Sequence, residues 1–360
     1  MGDNMNEILI YGISALLCCF AITTFILSRI PANTCPDSYY FKLDPFWAIV
    51  GIMFVGGIVV YHLFPEYNDM IKKYSYFDFT APIVLAVIIY STSIYGLNAL
   101  TNILLFASSL FISYMQPDDF MLFPNHLSPF VDKIVVALLI FIVSKGFSIL
   151  NGLSAISSLQ FNAVLISVVL LSIFGFLPQI LAVIALTYLG SMLAFTFFSW
   201  PPEKLIMSND AFSALGFILG CFMLNGVVEY SDASMFIACS YLFTEVITAL
   251  YNRYIKNQKE DLLYMNTSYF AISEDGKYEY GVVLGIIKLL IIDCVISLIQ
   301  VVSYERLAFP VFSLAINWWI LSILAGKTSP SNTLSVSRIG LKLVKSAVSK
   351  NKKKSSKAKK

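Results

Sequence analysis

The sequence predicts an all-α, polytopic integral membrane protein of about eleven transmembrane helices, amino terminus outside and carboxyl terminus cytoplasmic. Three observations lead there. Of 360 residues, 58% are apolar and only 13% charged, about half the roughly 25% charge of a soluble domain. The mean hydropathy is +0.77. Two stretches, 79–117 and 146–202, carry no charge at all, and each is far longer than the roughly 20 residues one crossing needs. A chain this poor in charge is not disordered, not a secreted disulfide scaffold and not a soluble enzyme.

The apolar runs place spans at 8–28, 46–64, 79–97, 99–115, 131–149, 157–176, 178–199, 211–228, 232–252, 280–303 and 306–325. The first follows Asp3 and Glu7 rather than a basic start, and it is too long for a signal-peptide core, so it is read as a retained span. Asn98 and Asn102 mark a tight reversal inside the first uncharged stretch, while Asn151-Gly152 and Pro178 divide the second. Residues 1–326 form a single transmembrane domain and 327–360 a basic cytoplasmic tail.

Lysine and arginine set the orientation, since basic flanks stay cytoplasmic. With the amino terminus outside, the cytoplasmic side holds Arg29, Lys42, Lys204, Arg253, Lys256, Lys259, Lys277 and every base from Lys327 onward; the external side keeps Lys72, Lys73, Lys133 and Arg306. The lysine-rich tail is expected to meet anionic lipid headgroups, each base contributing about 1 kcal/mol near such a surface. Nucleic acid is not an expected partner. Cysteines 18, 19, 35, 221, 239 and 294 lack CxxC spacing, and His62 and His126 lie far apart. Neither set forms a metal site.

Four ionisable residues fall inside spans: Lys145, Glu245, Lys288 and Asp293. Charge in hydrocarbon is costly and marks either function or a snorkelling side chain. The loop after the seventh span reads Trp200-Pro201-Pro202-Glu203-Lys204-Leu205-Ile206-Met207-Ser208-Asn209-Asp210. Its prolines keep it extended and Asn209-Asp210 is expected to cap the next helix. A helix start in a cytoplasmic vestibule suits a phosphate.

This loop and the residues up to Gly216 resemble the Pro-Ala-Lys-Ile-Phe-Met-Gly-Asp-x-Gly-Ser-x-x-x-Gly signature of the polyprenyl-phosphate N-acetylhexosamine-1-phosphate transferases, the MraY/WecA family. Pro202, Lys204, Met207 and Gly216 match in place. Phe147-Ser148-Ile149-Leu150-Asn151-Gly152-Leu153-Ser154-Ala155-Ile156 is similar to the family's Phe-Asn-x-x-Asp-Gly-x-Asp-Gly-Leu. Glu245 with Tyr251, Arg253 and Lys256 resembles the acid and bases closing the ninth span, Lys259-Glu260-Asp261 opens the long cytoplasmic loop, and Cys35 to Val50 is reminiscent of the first one.

The resemblance implies transfer of a sugar-1-phosphate from a UDP-sugar to undecaprenyl or another polyprenyl phosphate in cell-envelope synthesis, at the inner membrane of a bacterium. It implies a cytoplasmic site where Asp210, Asn209, Asn151 and Ser154 stand at catalytic positions. If the site is active, Asp210 holds Mg2+, Lys204 meets the diphosphate, Arg253 and Lys256 meet nucleotide or carrier phosphate, and Glu245 and Asp261 add charge. Yet Asn151, Ser154 and Asn209 stand where the family has aspartates, no acid occurs near Ser93-Ile94, where an acid pair is expected, and 264–267 lack the family's histidines. Amides and hydroxyls supply no negative charge for a cation, so catalysis is expected to be reduced or lost. A non-catalytic binding or partner protein is the alternative. A transporter built on Lys145, Glu245, Lys288 and Asp293 ranks below both. The oligomeric state stays open, a homodimer included.

Overall fold

The computed structural model describes residues 2–30, 44–63, 76–116, 122, 127–152, 155–177, 179–201, 203–230, 234–256, 263–268, 279–302 and 308–325. Ser154, Asp261, Cys35, His126 and the basic tail lie outside the described residues. Among the described residues the regular elements are helical: α1 (Gly2–Leu27), α2 (Pro45–Leu63), α3 (Tyr76–Ile94), α4 (Asn98–Met115), α5 (Pro129–Leu150), α6 (Ile156–Ile173), α7 (Gln179–Ser199), α8 (Asn209–Tyr230), α9 (Ser234–Ala238), α10 (Ser240–Leu250), α11 (Glu279–Val302) and α12 (Ala308–Ala325). A π turn, Tyr251–Ile255, continues α10, and a 3₁₀ turn spans Leu263–Asn266.

Six helices, α1, α4, α5, α6, α7 and α11, are long and apolar enough to cross a bilayer. Shorter apolar stretches lie in α2, α3, α8 and α12, at Pro45–Val60, Thr80–Ile94, Asn209–Leu224 and Phe309–Leu321. The chain is a helical membrane protein.

The second uncharged stretch divides at Asn151-Gly152 as expected, whereas Asn98 opens α4 and Asn102 lies within it, so the first reversal falls just before both. Gly96, at φ +71°, turns the chain between α3 and α4, a conformation glycine adopts without steric cost. Gly175, at φ +80°, does the same after α6, where the Phe176 N–H returns to the Leu171 carbonyl at 2.9 Å and closes the helix end.

The expected ninth span differs from a single helix, because it breaks at Cys239 between α9 and α10. The groups freed by the break find partners on other helices. The buried Asp293 carboxylate of α11 accepts the Tyr241 N–H, and Gln160 Nε2 of α6 donates to the Ala238 carbonyl at 2.9 Å. A break between buried helices is stable only when its backbone groups are satisfied in this way.

α7 lies at the centre, with 89% of its span buried against 22% for α1. The two helices nevertheless touch backbone to backbone, since a Cβ at Gly190 would stand 2.5 Å from the Leu16 carbonyl oxygen. α5 and α8 approach as closely at Gly216, where a Cβ would lie 3.0 Å from Ser144 Cα. Ser144 Oγ donates to the Ser213 carbonyl at 2.6 Å across this contact. Small residues allow such approach in membrane bundles. α3 packs on α8, α4 on α5, α10 on α5 and α12, and α11 on α6 and α9. The consequence for function is that the last turns of α3 and α5 meet the first turns of α2 and α8 at one end of the bundle.

Candidate functional site

Ser208 caps α8, one residue before the expected Asn209-Asp210: its Oγ accepts the Ala211 N–H at 3.2 Å and its carbonyl accepts the Phe212 N–H at 3.1 Å. A serine at this position satisfies a backbone donor that the helix itself cannot. Asn209 and Asp210 thereby fall in the first helical turn, and their side chains reach neighbouring helices instead of capping their own.

Asn151, directly after α5, ties that turn down. Its Nδ2 donates to Asn209 Oδ1 at 2.8 Å and to the Met207 carbonyl at 3.0 Å. Ser93, at the end of α3, donates its hydroxyl to Asp210 Oδ2. The half-buried Lys145, on the last turns of α5, interacts electrostatically with Asp210. The α5–α8 contact at Gly216 explains this pairing: it brings Ser144 against Ser213, and Lys145 is the next residue along α5.

Beside this group lies a second carboxylate that the sequence reading did not single out. Asp44 Oδ1 accepts the Phe46 N–H at 2.9 Å, while Tyr90 donates its phenol to Asp44 Oδ2 at 2.6 Å. Ser208 donates to the same carboxylate, so one serine links the starts of α2 and α8. Tyr90 is wedged against Phe46, with ring centroids 4.1 Å apart, and it also feels the charge of Asp210. Burial pushes the Asp44 carboxyl above the usual carboxylate range, and the bonds from Tyr90, Phe46 and Ser208 oppose that rise. The signal was present as Asp44-Pro45, a capping acid followed by proline at the first helical position.

The remaining expected residues fall elsewhere. Glu245 is wholly buried and clamps the 263–268 segment, accepting the Ser268 N–H at 2.8 Å and the Ser268 hydroxyl. Lys204 is exposed, and its backbone N–H donates to the Phe198 carbonyl at 2.9 Å. Arg253 stands on the π turn and Lys256 directly follows it, with Lys256 Nζ 5.5 Å from the Tyr251 ring centre. Ser154 and Asp261 are outside the described residues.

The cluster is therefore a hydrogen-bonded amide pair, Asn151 and Asn209, next to an acid, Asp210, that receives a hydroxyl and the field of an ammonium. Among the described residues no group of three or more His, Cys, Asp or Glu stands together as a metal-holding set. The chain matches no protein-family model and has no significant match among curated proteins.

Proposed function

We propose that this chain is built on the scaffold of the polyprenyl-phosphate sugar-phosphate transferases, crosses a bacterial inner membrane eleven times with its amino terminus outside, and has lost cation-dependent transfer. On this reading the site at the cytoplasmic end of the bundle is a binding surface for phosphate-bearing ligands of the UDP-sugar and polyprenyl-phosphate kind.

The observation that carries the reading is the meeting of Asn151 with Asn209, Nδ2 to Oδ1 at 2.8 Å, beside Ser93 and Asp210. These residues come from three separate segments, and the resemblance sets all three at family acid positions. Ala155 adds support: it stands where the resembled motif has its second glycine, and its φ is +65°, the left-handed region that glycine favours.

The residues present do not fit Mg2+. That ion takes near-octahedral oxygen ligands, with one or two carboxylates completed by substrate phosphates. Here Asn209 Oδ1 is taken by Asn151, Asp210 Oδ2 is taken by Ser93, and Lys145 interacts electrostatically with Asp210. Asp44 is engaged by Tyr90, Phe46 and Ser208.

One observation favours the second reading, an active transferase: Asp44 and Asp210 both act on Tyr90, so two carboxylates border the same space. Nucleotide release separates the readings. Purified protein in vesicles with undecaprenyl phosphate and a UDP-N-acetylhexosamine is expected to release no UMP in response to magnesium, and Asp210→Asn is expected to change nothing. Magnesium-dependent release that Asp210→Asn abolishes overturns the proposal in favour of the active enzyme.

A further inference from the structure

The most apolar of the membrane-crossing helices carries a charge on its outer face. α11 crosses over Tyr280–Gln300, with mean hydropathy 2.7. Its exposed face runs along Tyr280, Leu284, Lys288, Ile291, Val295 and Ile299, spaced three and four apart as one side of a helix is. Among the described side chains Lys288 is the sole charge on that face.

Snorkelling does not remove it. At a rise of 1.5 Å per residue, Lys288 sits about 12 Å from the Tyr280 end and about 18 Å from the Gln300 end, close to the middle of a hydrocarbon core of roughly 30 Å. A lysine stem of four methylenes reaches roughly 6 Å, about half the way to the nearer edge. Nor does the buried acid of the same helix serve as its counter-ion. Asp293 is fully buried and points inward, accepting Ser313 Oγ at 2.9 Å and Asn317 Nδ2 at 2.9 and 3.0 Å. An ammonium left facing acyl chains at this depth is expensive, and intramembrane charges normally face a protein partner.

We infer that the outer face of α11 is a docking surface for a transmembrane helix of another protein that carries a carboxylate at mid-membrane, opposite Lys288. Charge decides the occupant. A second copy of this chain, applied through the same face, sets one Lys288 ammonium against another, whereas a helix bearing Asp or Glu neutralises it inside hydrocarbon. The flanking Leu284, Ile291 and Val295 supply the apolar contact on either side.

The experiment uses the full chain in phosphatidylcholine vesicles and a synthetic leucine-alanine transmembrane helix with one aspartate at its centre, association being read by energy transfer. The wild type is expected to bind this helix at least tenfold more tightly than a control with leucine in place of the aspartate. Lys288→Leu, which leaves a wholly apolar face and does not disturb the buried side of α11, abolishes the difference. Lys288→Asp restores association with a lysine-centred helix. Equal binding of the aspartate and leucine helices overturns the inference. So does disulfide capture between two copies of Leu284→Cys at high yield, which would make the occupant a second copy. Rapid labelling of Lys288→Cys by a membrane-impermeant thiol reagent overturns it as well, since the face would then meet water.

Discussion

Asn151 donates its carboxamide N–H to Asn209 Oδ1 across 2.8 Å, and the same nitrogen donates to the Met207 carbonyl at 3.0 Å. One side chain at the end of α5 thus holds both the loop before α8 and its first turn. Asn151→Ala is expected to destabilise the protein by about 0.5–1.5 kcal/mol, the usual net contribution of such hydrogen bonds, because Asn209 is exposed and water can replace the lost donor there. Asn209→Ala costs less, because Met207 keeps its bond. The double variant should fall short of the sum, since the pair is shared. Thermal unfolding in detergent measures all three.

Restoring acids tests the emptied site from the other side. With Asn151→Asp and Asn209→Asp together, two carboxylates join Asp210, and the repulsion among them is relieved by a divalent cation. The double variant is expected to gain stability when Mg2+ or Mn2+ is added, while the wild type shows no metal-dependent shift in Tm.

Asp44 gives a pH dependence with a definite sign. Burial raises its folded pKa above the ordinary 3.8. The stability linked to this group is therefore fully present below that ordinary value and is lost as pH rises through the folded value. Relative to Asp44→Asn, which does not titrate, the wild-type Tm should fall as pH rises above about 4. Tyr90→Phe removes a hydrogen bond that favours the carboxylate, so the fall should move to higher pH. A wild-type Tm that instead rises relative to Asp44→Asn over this range contradicts the assignment.

Ala155 is a residue with a Cβ held at φ +65°. Ala155→Gly relieves that conformation, at some cost in unfolded-chain entropy, and is expected to stabilise by about 0.5–1 kcal/mol net. A loss of stability on this substitution would mean that the Ala155 methyl does more by packing than it costs in strain.

Gly216 sets the spacing of α5 and α8. A methyl there would meet Phe147 Cδ2 at 2.9 Å and Ser144 Cα at 3.0 Å. Because one neighbour is backbone, Gly216→Ala forces the helices apart and should cost about 1–3 kcal/mol. It should also weaken the Lys145–Asp210 interaction, detectable as altered reactivity of the Lys145 amine.

Much of the bundle was legible in the chain, for a reason visible at particular residues. A turn inside an apolar run must be made by residues that tolerate it, so Asn98 and the Asn151-Gly152 pair marked two reversals to within a few residues, while the glycines at the turns, Gly96 and Gly175, were not singled out. The break at Cys239 left no such mark. It depends on Asp293 and Gln160, from helices remote in sequence, taking up the Tyr241 N–H and the Ala238 carbonyl. The resemblance pointed to Asn151, Asn209 and Asp210. Asp44, Tyr90 and Ser208 were missed, since a capping acid looks the same in sequence whether it meets solvent or a tyrosine from another helix.

By itself the sequence determined that this is a helical membrane protein and that Lys288 and Asp293 share one helix. Those properties follow from transfer free energy and local backbone preference, which act along the chain. Only the tertiary structure decided that Asp293 turns inward to Ser313 and Asn317 while Lys288 turns outward. The direction of a side chain on an all-round apolar helix is set by which neighbour offers it a partner, and hydropathy does not encode that choice.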